Sequence, residues 1–66
     1  MKLQIETDRE TDGRWIAEIP SMPGVMTYGN TKEDAIQKVM SLTLRVIADK
    51  YESGEISEKQ VEISFA

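Results

Sequence analysis

One amphipathic segment, residues 31 to about 53, most constrains what this chain can fold into. It is the only stretch with apolar residues recurring at three- and four-residue intervals over enough length to cover a small sheet. An α-helix of this span is about 30 Å long, enough to cross four strands. The side we expect to be buried carries Ala35, Ile36, Val39, Met40, Leu42, Thr43, Val46, Ile47 and Tyr51.

Both ends of this helix carry local signals. Asn30 or Thr31 can accept hydrogen bonds from the first free N–H groups, and Glu33 and Asp34 follow where the helix dipole favours negative charge. Gly54 is the expected left-handed residue that ends the helix.

The size of the chain allows one domain, residues 1–66. A domain this small buries a modest share of its surface, and without cysteine it has neither disulfides nor thiolate metal sites to stabilise it. We therefore expect a homo-oligomer, a dimer or higher. No apolar run is long enough to span a bilayer and no leader segment is evident, so we expect no membrane association and a cytoplasmic location.

The charge balance limits the kinds of partner that we expect this chain to bind. Twelve acidic and eight basic residues give a net charge of −4, which disfavours direct binding to nucleic acid and favours a basic protein partner. Histidine is absent, which removes the commonest general base and metal ligand. We therefore expect no enzymatic activity, no catalytic residue, no cofactor and no metal.

Four segments have the pattern of strands. Residues 2–8 alternate with period two, and a turn at residues 10–13 contains the Asp-Gly pair typical of hairpins. A second strand over residues 14–19 ends at Pro20, a third covers residues 25–28, and a fourth covers residues 60–66. The expected inward side chains are Leu3, Ile5, Trp15, Ala17, Ile19, Val25, Thr27, Val61, Ile63 and Phe65.

The order of these elements predicts an α+β fold, β-β-β-α-β. Three antiparallel strands followed by a right-handed helical crossover place the fourth strand parallel to the first. We therefore expect a four-stranded sheet of order 3-2-1-4, with one long helix packed on one face.

Two quoted segments carry a family resemblance. Residues 12–25, DGRWIAEIPSMPGV, and residues 28–35, YGNTKEDA, combine a strand ending in proline, a Pro-Gly pair and a Gly-Asn-Thr helix start before an acidic-Ala pair. The chain resembles the HicB-type antitoxin family and its orphan relatives over nearly its whole length, most strongly over residues 12–48. The resemblance implies a partial ribonuclease-H-like fold, and a small basic HicA-like toxin that cuts messenger RNA as the partner.

The sequence departs from the pattern of this family in one respect. Antitoxins of this family usually carry a C-terminal DNA-binding segment, whereas this sequence ends at Ala66, directly after the fourth predicted strand. We therefore expect a short orphan form that lacks the DNA-binding segment, and the sequence leaves a role in operon repression open. The alternative is an orphan self-associating α+β domain without a toxin.

Two groups of carboxylates resemble metal sites. The spacing Asp8-x-Glu10-x-Asp12-Gly13 imitates half of a calcium loop, but Ile19 stands where the bidentate glutamate belongs and strands flank the segment. A two-metal nuclease would need Glu6, Asp8, Glu18 and Asp34 to converge, and the first three are expected on the solvent face and the last at the helix start. A polar turn and a solvated face are the favoured interpretations.

The favoured site is a protein contact surface. Ile16, Met26 and Tyr28 are expected to project from the uncovered sheet face near the third strand, which is a sheet edge. Singly exposed apolar residues are ordinary, but three beside an edge favour association. With the loop at Pro23 and Gly24 they form the predicted interface.

Overall fold

The computed structural model describes residues 1–65, and its elements follow the predicted order. Strands β1 (Lys2–Arg9), β2 (Trp15–Glu18) and β3 (Met26–Gly29) precede helix α1 (Lys32–Glu52), and strand β4 (Glu62–Phe65) follows it. The sheet order is β3-β2-β1-β4, with β4 parallel to β1 and the other pairings antiparallel. The predicted α+β class and strand order are confirmed.

A tight hairpin joins β1 to β2. The Glu10 N–H donates to the carbonyl of Arg14 at 2.7 Å, and the Gly13 N–H donates to the carbonyl of Glu10 at 3.0 Å. Gly13 has a φ of 92°, a conformation that side chains other than glycine rarely adopt. The predicted Asp-Gly turn is therefore confirmed, as a three-residue loop.

The link between β2 and β3 is built on the Pro-Gly pair. The Ile19 N–H donates to the carbonyl of Val25 at 3.1 Å, which extends the strand pairing to the base of the loop. The Val25 N–H donates to the carbonyl of Met22 at 3.0 Å, which closes a turn over Pro23 and Gly24. Gly24 has a φ of 89°. Proline followed by a positive-φ glycine is typical of a type II turn.

Helix α1 has the predicted caps. The Thr31 hydroxyl accepts a hydrogen bond from the Asp34 N–H at 3.0 Å, and Gly54 follows the last turn with a φ of 78°. Within residues 1–65, no helix combines the length and hydrophobicity that crossing a bilayer requires.

The core lies between α1 and the sheet. Thr43 is fully buried among the apolar residues, and its hydroxyl donates to the Val39 carbonyl at 2.6 Å. Tyr51, predicted to be buried, is exposed and donates its hydroxyl to the Glu58 carbonyl, because the last turn of the helix lies beside the connector to β4. The buried apolar residues are Leu3, Ile5, Ala17, Ile19, Val25, Ala35, Val39 and Ile47.

The N-terminal end of α1 packs tightly on β3. A β-carbon on Gly29 would lie 2.8 Å from a carboxylate oxygen of Asp34, so this glycine permits the close approach of helix and strand. The Thr27 hydroxyl donates to the Ala35 carbonyl at 2.9 Å across the same contact. These contacts fix the helix over the β3 side of the sheet.

The helix therefore does not cover the whole sheet. Its backbone lies close to that of β3, β2 and β1 and, among the described residues, farther from that of β4. Ile63 and Phe65 pair with Leu3 and Ile5, so the predicted inward side is correct, but Phe65 is 65% exposed and Val61 37% exposed. The expected burial of these two side chains was wrong, because one helix about 10 Å wide cannot cover four strands spaced about 4.8 Å apart. Ala66, the predicted end of the last strand, lies outside the described residues.

Candidate protein-binding surface

The sheet face opposite α1, called the outer face below, brings three predicted interface residues together. Ile16 and Tyr28 are directly opposite each other in the β2–β3 register, and Met26 lies one pleat away on the same face. Met26 is 43% exposed and Tyr28 40% exposed, whereas Ile16 is half-buried. The three form an apolar patch beside the free edge of β3, and its role as an interface stays a prediction.

The loop residues of the predicted interface adjoin this patch. Pro23 and Gly24 are both exposed, and only the buried Val25 separates them from Met26 at the start of β3. The loop thus lies next to the patch in the chain, at the start of β3.

Arg14 is part of the surface and was not predicted. Its guanidinium carbon lies 4.7 Å from the centre of the Tyr28 ring, within the range of a cation–π interaction. Asp12 orients it, accepting from the Arg14 side-chain Nε at 2.8 Å and from its backbone N–H at 3.1 Å. The backbone hydrogen bond from Arg14, with its side-chain hydrogen bond and charge, lowers the pKa of Asp12. The Asp-Gly-Arg sequence of the turn could have indicated Arg14 from the sequence alone. The contact of Arg14 with the Tyr28 ring could not be predicted that way, because it depends on the strand register.

Acidic side chains border the patch on the β1 side. Glu6 lies directly opposite Glu18, and Asp8 lies opposite Ile16. All three carboxylates are exposed. Like charges that face each other across a strand pair are destabilising. A positively charged group bound at this part of the outer face would therefore be stabilised.

The carboxylates of the nuclease hypothesis are only partly brought together. Glu6 and Glu18 meet on the outer face, whereas Asp34 lies at the start of α1, where it pairs with Lys38 at 3.1 Å. The Lys38 side chain, with the Asn30 N–H, lowers the pKa of Asp34. Within residues 1–65, no three acidic, histidine or cysteine side chains are placed to hold a metal ion.

A separate cavity of about 400 Å³ lies at the end of the sheet where β1 begins. Met1, Leu3, Met22 and Ile56 supply its apolar wall. Two of its charged side chains are in ion pairs: Glu58 pairs with the Met1 amino group at 2.8 Å, and Lys50 pairs with Glu55 at 3.8 Å, while Lys2 and Ser21 also line the cavity.

Comparison of the chain with protein-family models, with curated proteins and with solved structures gave no match. The resemblance to HicB-type antitoxins therefore depends on the sequence segments quoted above.

Proposed function

We propose that this chain is a protein-binding module whose outer face holds a small basic protein. The observation that carries the proposal is the juxtaposition of an exposed apolar patch, Ile16, Met26 and Tyr28, with the exposed carboxylates of Glu6 and Glu18. Buried apolar anchors supply affinity at protein interfaces, and complementary charges around them supply specificity.

The facing carboxylates explain why the partner should be basic. Glu6 and Glu18 repel each other across the β1–β2 pair, and a lysine or arginine from a partner placed between them would relieve that repulsion. The net charge of −4 adds long-range attraction for a basic protein. We therefore expect fast association that slows as ionic strength rises.

The free edge of β3 offers a second contact on the same side. Because the Ile19 N–H pairs with Val25, the alternating backbone groups of Met26 and Tyr28 point away from β2. A partner strand at this edge would bring its side chains next to the apolar patch. Patch and edge thus form one continuous contact area.

The partner that the family resemblance implies is a small basic toxin of the HicA type, which cuts messenger RNA. Under this proposal the chain neutralises the toxin by covering its active site. The absence of histidine from this chain accords with a role in masking a nuclease rather than acting as one.

The test is to look for a short basic protein encoded in a reading frame next to the gene for this chain, and to co-express the two. We expect the two to co-purify, and the chain to restore growth to cells that express the basic protein alone. Glu18→Lys should weaken binding at least tenfold at low salt, whereas Glu52→Lys makes the same charge change on the exposed helix and should leave binding unchanged.

Two results would contradict the proposal. One is the lack of any basic neighbour that co-purifies. The other is an equal effect of the Glu18→Lys and Glu52→Lys substitutions, which would show attraction to overall charge instead of a defined surface.

A further inference from the structure

Strand β4 has a free edge with a defined set of unpaired backbone groups. The Glu62 N–H donates to the Met1 carbonyl at 2.7 Å, so the backbone N–H and C=O groups of Glu62 point toward β1. The backbone groups of Ser64, two residues later, point the same way. Because these directions alternate along a strand, the N–H and C=O groups of Val61, Ile63 and Phe65 point outward. No strand of the described chain pairs with this edge.

The same three residues carry the apolar side chains on the helix side of β4. Phe65 borders a groove of about 170 Å³ that Ile5 and Ile36 also line. Thr7 and Lys32 complete the lining of this groove. Outward hydrogen-bonding groups and exposed apolar side chains thus coincide at one edge.

We propose that β4 pairs antiparallel with β4 of a second copy, with the two-fold axis at Ile63. Residues 61–65 alternate apolar and polar symmetrically about Ile63. Val61 then faces Phe65 of the second copy, and Ile63 faces its own counterpart. Each facing pair exchanges two backbone hydrogen bonds, since all the groups involved point outward.

Charge and hydrogen bonding select this register. It places Glu62 opposite Ser64 of the second copy. Moving the axis to Glu62 sets two carboxylates face to face, which is destabilising, whereas moving it to Ser64 gives one apolar pairing within the described residues, Ile63 with Phe65. A two-fold axis that passes between two residues would set outward-pointing backbone groups of one copy against inward-pointing ones of the other. It would also place the apolar side chains of the two copies on opposite faces of the joined sheet.

A second copy fits this edge because a two-fold interface must be complementary to itself. The β3 edge meets that requirement less well. Asp34, which lies next to Gly29, and Lys38 and Arg45, which follow on the same flank of α1, place charges above it. Pairing two copies through β3 would bring two such charged flanks together, whereas the groove beside β4 has one charged lining residue, Lys32, next to the apolar Ile5, Ile36 and Phe65.

The dimer has a consequence for the proposed partner. Pairing through β4 joins two four-stranded sheets into one and leaves both β3 edges and both outer-face patches open. Each dimer then offers two separate sites for the basic protein. Self-association and partner binding use opposite edges of the sheet.

The first test is mass in solution by light scattering. We expect twice the 7.5 kDa chain mass for the wild type and a monomer for Phe65→Glu, with circular dichroism checking that the variant folds. Met26→Glu places the same charge at the opposite edge and should remain a dimer. A monomeric wild type, or a dimer lost in Met26→Glu and kept in Phe65→Glu, would overturn the proposal.

The second test is crosslinking, which checks the register in a chain without native cysteine. Facing residues at a two-fold axis lie about 5.5 Å apart between Cα atoms, within disulfide range. Ile63→Cys should therefore crosslink two copies under mild oxidation, and Ser64→Cys should not. The reverse pattern would exclude this register whatever the outcome of the partner-binding experiments.

Discussion

Gly29 and Ala35 lie so close together that a β-carbon on Gly29 would be 2.9 Å from the Cα of Ala35. This contact brings the start of α1 directly onto β3. It also explains the asymmetry of the fold, because a helix held over β3 leaves the far side of the sheet, at β4, uncovered.

Gly29→Ala should destabilise the protein by about 1–3 kcal/mol, the usual cost of adding a methyl group to a packed contact. The clash involves backbone atoms of α1, so helix and strand must separate to accommodate it. Chemical denaturation measures the effect. Gly24→Ala is the comparison: its β-carbon would meet no atom within 4 Å, so it reports the cost of positive φ without a clash. Equal stability of Gly29→Ala and wild type would contradict the close approach.

Thr43→Val should change the free energy of unfolding by less than about 1 kcal/mol in either direction. The Thr43 hydroxyl bonds a carbonyl of its own helix, so its removal leaves no buried donor without a partner. Thr43→Ser keeps the hydroxyl but loses a buried methyl group, and should cost about 0.5–1.5 kcal/mol. Thermal and urea unfolding of both variants test the order. A Val variant less stable than the Ser variant would show that the hydroxyl contributes more than the methyl group.

Asp34→Asn should flatten the dependence of stability on acid pH. Lys38 and the Asn30 N–H lower the pKa of Asp34 in the folded state, so below neutral pH the unfolded chain takes up its proton first. The stabilisation is therefore complete above the unfolded pKa, about 4, and is lost as pH falls through the folded pKa. Urea unfolding between pH 6 and about pH 2 measures this, and identical slopes for variant and wild type would contradict it.

The local pattern of the sequence was enough to predict most of the fold. Alternation identified the strands, and Thr31 and Gly54 marked the ends of the helix, because both signals depend on neighbouring residues alone. The strand order followed from the element order and the handedness of crossovers. These rules do not state where the helix lies across the sheet.

The exposure of Phe65 could not be predicted for that reason. Its face followed from alternation, but its burial depends on a contact between Gly29 and α1 at the opposite edge. Arg14 was missed for a similar reason, since its ring partner Tyr28 lies across a strand pair. The positions of Ile16, Met26 and Tyr28 were predictable because period two and an edge strand were sufficient.

The most direct test of the proposed outer-face interface is an NMR titration. The basic neighbouring protein is added to the isotopically labelled chain, and the changes in amide chemical shift are measured. We predict that the largest changes fall on Ile16, Met26, Tyr28 and Glu18, and that they diminish as salt is added. Changes confined to α1 and β4, with the outer face unperturbed, would contradict the account.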